Sequence, residues 1–153
     1  MQMRRLWDDT YPFHLITNCR KGLAPFGDSA SAEIVRKTVL KSRRKDDVFL
    51  FAWCLMPDHL HLCVAEREKN ISTYMMVIKR LISREMGLGQ LWEPRFWDNQ
   101  IMTMREFRDV IHYIHGNPVR AGIVEEPEQY SHGSARDWES LDFNIFLEFG
   151  REV

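Results

Sequence analysis

At 153 residues with 44% hydrophobic content, the chain has the size of one domain and enough apolar side chains for a core of its own. Charged residues at 28% are ordinary for a soluble globular protein, and no apolar run approaches the roughly 20 residues of a membrane helix. The formal net charge of -1 hides an asymmetry: residues 1–45 hold ten Lys or Arg against four acids, and residues 121–153 hold two against eight.

In chain order, Met1 to Asp9 carries Arg4 and Arg5 and lacks the apolar stretch of a signal peptide. Tyr11 to Asn18 reads as a first strand, closed by the turn signals Lys21-Gly22, Pro25 and Gly27. Asp28 or Ser29 caps a first helix with Ile34, Val35, Thr38 and Val39 inward, ending in the basic run Lys41 to Lys45. Val48 to Leu55 is a nearly continuous apolar run, a buried strand. Met56-Pro57-Asp58 turns the chain, and His59 to Ala65 returns as the second arm of a hairpin. Asn70 or Ser72 opens a second helix with a stripe of Ile71, Tyr74, Met75, Ile78, Leu81 and Ile82, stopped by Gly87 and Gly89. Met75 and Met76 are expected to fill the core. Arg95 to Met102 reads as a fourth strand. A third helix runs from about Met104 to His115 and is held short by Pro118.

This order predicts an α+β fold, a ferredoxin-like βαββαβ antiparallel sheet covered by helices on one face, with one helix added. A single domain is expected, its core at about 11–122 and an acidic C-terminal tail at 123–153. The three cysteines, Cys19, Cys54 and Cys63, contain no Cys-x-x-Cys pair, which argues against a disulfide scaffold or zinc ribbon and for a reducing cytoplasm.

Chemistry concentrates in two places. Strand alternation sends His59 and His61 to one side and Leu60 to the other, so two imidazoles stand ready for one divalent ion with positions left open for substrate. A His-x-His in a strand also serves as ordinary surface or packing. In the third helix, Phe107, Val110, Ile111 and Ile114 define the inward side, and Tyr113 and Asn117 share a flank of it, one turn apart. A phenol beside an amide oxygen ligand places a nucleophile next to a metal-bound phosphate, whereas Asn117-Pro118 is equally a helix stop. His112 and His115 point to other faces and rank below Asn117.

Met56-Pro57-Asp58-His59-Leu60-His61-Leu62 resembles the HUH (His, hydrophobe, His) motif of single-tyrosine transposases. Arg95-Phe96-Trp97-Asp98, followed by Tyr113 through Gly122, is similar to the tyrosine helix and loop of their REP-associated branch. The resemblance implies a βαββαβ core with an added C-terminal catalytic helix and a bacterial, nucleoid-associated protein. It maps the nucleophile to Tyr113 and the ligands of a Mg²⁺ or Mn²⁺ ion to His59, His61 and Asn117. The implied substrate is single-stranded DNA folded into imperfect hairpins, cut to a 5′-phosphotyrosine and a free 3′-hydroxyl. Dimers are common in the wider family, so a homodimer is a possible assembly, and some REP-associated members act as monomers. Tyr130-Ser131-His132-Gly133-Ser134 departs from the branch, which often has Trp-Ser-Ser there.

Arg4, Arg5, Lys45, Arg95, Trp97 and Arg120 are the expected DNA contacts, through phosphates and base stacking. Two rival readings remain: a non-catalytic nucleic-acid-binding module, which needs neither Tyr113 nor Asn117, and a small metal-dependent hydrolase that would survive loss of Tyr113.

Overall fold

A computed structural model describes residues 11–143. Four strands form one antiparallel sheet: β1 (Pro12–Asn18), β2 (Val48–Met56), β3 (His59–Glu66) and β4 (Trp97–Gln100). Their order across the sheet is β2-β3-β1-β4, and three helices connect or follow them, α1 (Ser29–Arg44), α2 (Ile71–Met86) and α3 (Met104–Arg120). The α+β, ferredoxin-like expectation holds. No helix among the described residues is long and apolar enough to cross a membrane.

Local chemistry explains the ends of the helices. Asp28 caps α1 by accepting from the Ser31 amide, and Asn70 does the same for α2 with Thr73. Gly87 ends α2 at φ 68°, a left-handed turn that costs glycine little. Thr103 caps α3, whose Glu106 accepts from Asn99 of β4 and from the Met102 amide, tying the helix to the sheet edge.

The helices occupy both faces of the sheet, not one. Val35 and Val39 of α1 and Tyr74, Ile78 and Ile82 of α2 pack with Leu15, Leu60 and Leu62 on the first face. Phe107, Val110, Ile111 and Ile114 of α3 pack with Cys54, Cys63 and Phe51 on the other. Every residue of β2 is therefore buried, although β2 is an edge strand. The described part of the acidic segment covers that edge: the Leu55 amide donates to the His132 carbonyl, and the Ser134 amide to that of Trp53. Gly133 fits there because a Cβ would stand 3.0 Å from the Trp53 carbonyl oxygen. Arg43 pairs with Asp142 at 3.1 Å to hold the end of the segment.

Three details differ from the sequence expectation. Met76 is 58% exposed, because it falls outside the α2 stripe. β4 spans four residues, shorter than Arg95 to Met102. Pro118 lies inside α3, which continues to Arg120. A proline this near the C-terminus removes one hydrogen bond from a turn that is about to end, so the helix tolerates it. Asn117 is thus a helical residue, its carbonyl accepting from the Ala121 amide, and Gly122 at φ 74° is the stop.

Candidate active site

The hairpin between β2 and β3 turns on Pro57 and Asp58 alone and delivers His59 at the first position of β3. The 19–26 loop braces it, with the Cys19 amide donating to the Asp58 carbonyl and the Phe26 amide to that of Pro57. Alternation puts His59 and His61 on the α3 face with ring centroids 4.9 Å apart.

A third imidazole joins them. His14 of β1 lies diagonally across from His61, since Ile16 is the register partner of His61 and Cys63 that of His14. Nε2 of His14 is 3.0 Å from Nδ1 of His61, and the rings stack at 5.3 Å. Both are nearly excluded from solvent, at 4% and 2%. Burial holds His14 down to about 4 and His61 to about 3, the latter also through the charges of His59, His14 and Arg120. At neutral pH both are uncharged.

α3 brings Tyr113 over this group. Its ring lies 5.8 Å from His14 and 6.1 Å from His61, and the residue is 48% exposed. Arg120, seven residues on, folds back along the helix. Its guanidinium sits 4.1 Å from the Tyr113 ring centroid and donates to the Tyr113 carbonyl. Gly116 makes the fold-back possible, for a Cβ there would meet Nη1 of Arg120 at 2.7 Å. Trp97 of β4 borders the group at 5.0 Å from His14, half exposed.

The donor set fits a divalent ion. Nδ1 of His59 donates to Oδ1 of Asp58 at 2.7 Å, leaving Nε2 as the free ring nitrogen. The His14–His61 hydrogen bond does the same for His61 when Nδ1–H donates to His14. Asn117 contributes a buried amide atom, Nδ2, with no hydrogen-bond partner among the described residues. Because amide oxygen and nitrogen exchange on a flip, this atom is suited to an oxygen ligand. Among the described residues no three His, Cys, Asp or Glu side chains form a metal cage.

The structure thus brings His59, His61, Tyr113, Trp97 and Arg120 together, with Asn117 one turn beyond Tyr113 and Arg95 exposed beside β4. Lys45 lies at the far end of the sheet, where Val48 pairs with Glu66, roughly 23 Å from His59 along β3. Arg4 and Arg5 lie outside the described residues. His112 is exposed. His115 is buried and bonded to Ser134 Oγ at 2.8 Å, away from this group. His14 escaped the sequence reading because only the β1–β3 register reveals its neighbour.

Known proteins resemble this chain in sequence and in fold. The family described as IS200-like transposase matches residues 6–117. A REP-associated tyrosine transposase of Escherichia coli K12 is 30% identical over 97 residues, 61% of this chain and 58% of that protein. A Haemophilus influenzae relative is 25% identical over 99 residues, 54% of this chain and 56% of that one. The chain thus spans under three fifths of the length of the curated relatives it matches. A solved REP-associated tyrosine transposase bound to a REP hairpin superposes with a TM-score of 0.74 at 23% identity, covering 89% of this chain and 83% of that one.

Proposed function

This chain belongs to the IS200-like transposase family, and from that premise we propose that it is a single-tyrosine DNA transposase acting on hairpin-containing single-stranded DNA. The observation that carries the reading is the approach of Tyr113 to His61, ring centroids 6.1 Å apart, with His59 beside them. In this reading the nucleophile and the ligands would come from one chain. The structure of a relative with a REP hairpin supports the same class of DNA as substrate here.

His59, His61 and Asn117 would hold the ion, Mg²⁺ or Mn²⁺. When bound, it supplies positive charge against the phosphodiester and orients it. The remaining chemistry belongs to the chain. Tyr113 Oη attacks the phosphorus, the P–O3′ bond breaks, and the DNA stays joined through a 5′-phosphotyrosine. The phenol releases its proton and the departing 3′-oxygen takes one up. Arg120, over the phenol ring, would offer its charge to the phosphate under attack. The covalent bond keeps the energy of the phosphodiester, so a 3′-hydroxyl can reverse the step and rejoin strands without ATP. Trp97, half exposed beside His14, offers a face for an unstacked base. Residues 1–153 would act as one domain, with Arg95 contacting phosphate at its border.

A labelled hairpin incubated with Mn²⁺ should give a protein–DNA adduct that survives denaturing electrophoresis. Tyr113→Phe should abolish it while folding and DNA binding persist, since the hydroxyl has no partner among the described residues. Cleavage by Tyr113→Phe at the wild-type rate would transfer the reading to a water-activating hydrolase. Hairpin binding without cutting under any metal would make the protein a non-catalytic binder.

A further inference from the structure

Away from the histidines, the end of α2 and the segment that follows it enclose an open groove of about 650 Å³. Arg20, Lys79, Arg80 and Arg84 line it against a single acid, Glu93. Lys79 is committed to the framework: its ammonium donates to the Glu93 carbonyl at 2.9 Å, and the Trp92 indole donates to the Lys79 carbonyl at 3.1 Å. The Arg20 amide donates to the Leu91 carbonyl, which fixes the third wall. The three arginines are exposed, and none meets a carboxylate among the described residues. Three such guanidiniums give one concavity a positive charge that an anion would meet.

The groove is tied through the backbone to the strand end that carries the candidate active site. Its floor, residues 91–93, is pinned to the end of β1: Trp92 bridges to Cys19, and the Glu93 amide donates to the Asn18 carbonyl. Asn18 is the register partner of His59. Further along the same segment Trp97 flanks His14. One stretch of chain therefore floors the groove at its start and borders the histidines at its end.

We propose that this groove seats the sugar–phosphate backbone of the paired stem of a hairpin substrate, next to the strand being cut. The inference rests on the transposase reading and adds a surface to it. The stem, and not the unpaired strand, fits because the groove offers charge without a stacking platform. Trp92 is 7% exposed and its N–H is engaged, whereas Trp97, at the histidines, is 47% exposed. Bases already stacked in a duplex need only phosphate contacts, and those carry no sequence information.

The test is fluorescence anisotropy on the full chain with a DNA hairpin bearing a single-stranded tail, and with the tail alone, across a salt series. The variant Arg20→Gln/Arg80→Gln/Arg84→Gln should lose on the order of tenfold or more in hairpin affinity at low salt. Its log–log salt slope should flatten by about 0.9 for each phosphate that the variant no longer neutralises. Tail binding should be unchanged, as should hairpin binding by Lys37→Gln, an exposed cation on α1. Equal hairpin affinity and slope in the triple variant and wild type would overturn the groove and leave the transposase reading standing. An equal loss for hairpin and tail would overturn the stem assignment. If wild type binds no hairpin at low salt, the transposase reading falls and the groove with it.

Discussion

Nε2 of His14 and Nδ1 of His61 share one proton across 3.0 Å of buried space between β1 and β3. Which ring owns that proton decides whether His61 can ligate: its Nε2 keeps a lone pair only when Nδ1–H donates to His14. Asp58 sets the same choice for His59. The two proposed ligand rings thus have their outer nitrogens freed by two different partners, a carboxylate and a third histidine.

His14 therefore acts as a positioning residue. In His14→Phe the ring volume is kept and the acceptor removed, so the fold should persist while Mn²⁺ affinity, by titration calorimetry, falls about 10–100-fold. Nitrogen NMR of the metal-free protein should find His61 protonated at Nδ1 in the wild type. A protonated Nε2 there, or unaltered affinity in the variant, would remove His14 from this role.

Gly116→Ala should separate stability from chemistry. Alanine favours the helix over glycine by about 1 kcal/mol, and what the new Cβ meets is the mobile end of Arg120, at 2.7 Å. The guanidinium must then shift from its seat over the Tyr113 ring. Unchanged or raised thermal stability with slower adduct formation is the expected pair of results, and Arg120→Gln should slow adduct formation to a similar degree. Wild-type adduct rates in both variants would show that the cation over the ring is idle.

Ser134 holds the covering segment to β2. Its Oγ accepts from the Trp53 amide, donates to the Trp53 carbonyl and meets His115 Nε2. Ser134→Ala leaves that buried amide and imidazole without partners and should cost about 1–3 kcal/mol in urea unfolding. Mn²⁺ affinity should not change, because His59 and His61 lie on the neighbouring strand. A loss below a few tenths of a kcal/mol would mean that the segment is held by other interactions.

Stability should fall on mild acidification. The folded-state values of His61 (about 3), His14 (about 4) and His115 (about 4) lie below the ordinary 6.5, so the unfolded chain takes up protons that the native state refuses. Their contribution is fully present above pH 6.5 and is lost as the pH drops toward 4, with a slope of up to about 1.4 kcal/mol per pH unit for each group. Urea melts at pH 7 and pH 5 should record the loss, and His115→Gln should flatten it. Equal stability at the two pH values would contradict the buried, neutral state of these rings.

The order of elements, the shared face of His59 and His61, and the flank carrying Tyr113 were all legible in the residues. Each follows from a local period, 2.0 along a strand and 3.6 along a helix, which the backbone imposes without reference to the rest of the chain. Long-range packing decided the rest. His14 meets His61 only through strand register, and α3 takes the face opposite α1 and α2 because that side of the sheet also needed an apolar cover. The helix runs through Pro118 because its last turn packs well enough to forgo one hydrogen bond. The basic run ending at Lys45 has the composition of a DNA-binding segment, yet it closes α1 just before Val48, at the end of the sheet away from His59. Arg20 and Arg80, sixty residues apart, line one groove instead. Periodicity records which side of its own element a residue faces, whereas its neighbour there depends on burial and hydrogen bonding among elements distant in sequence.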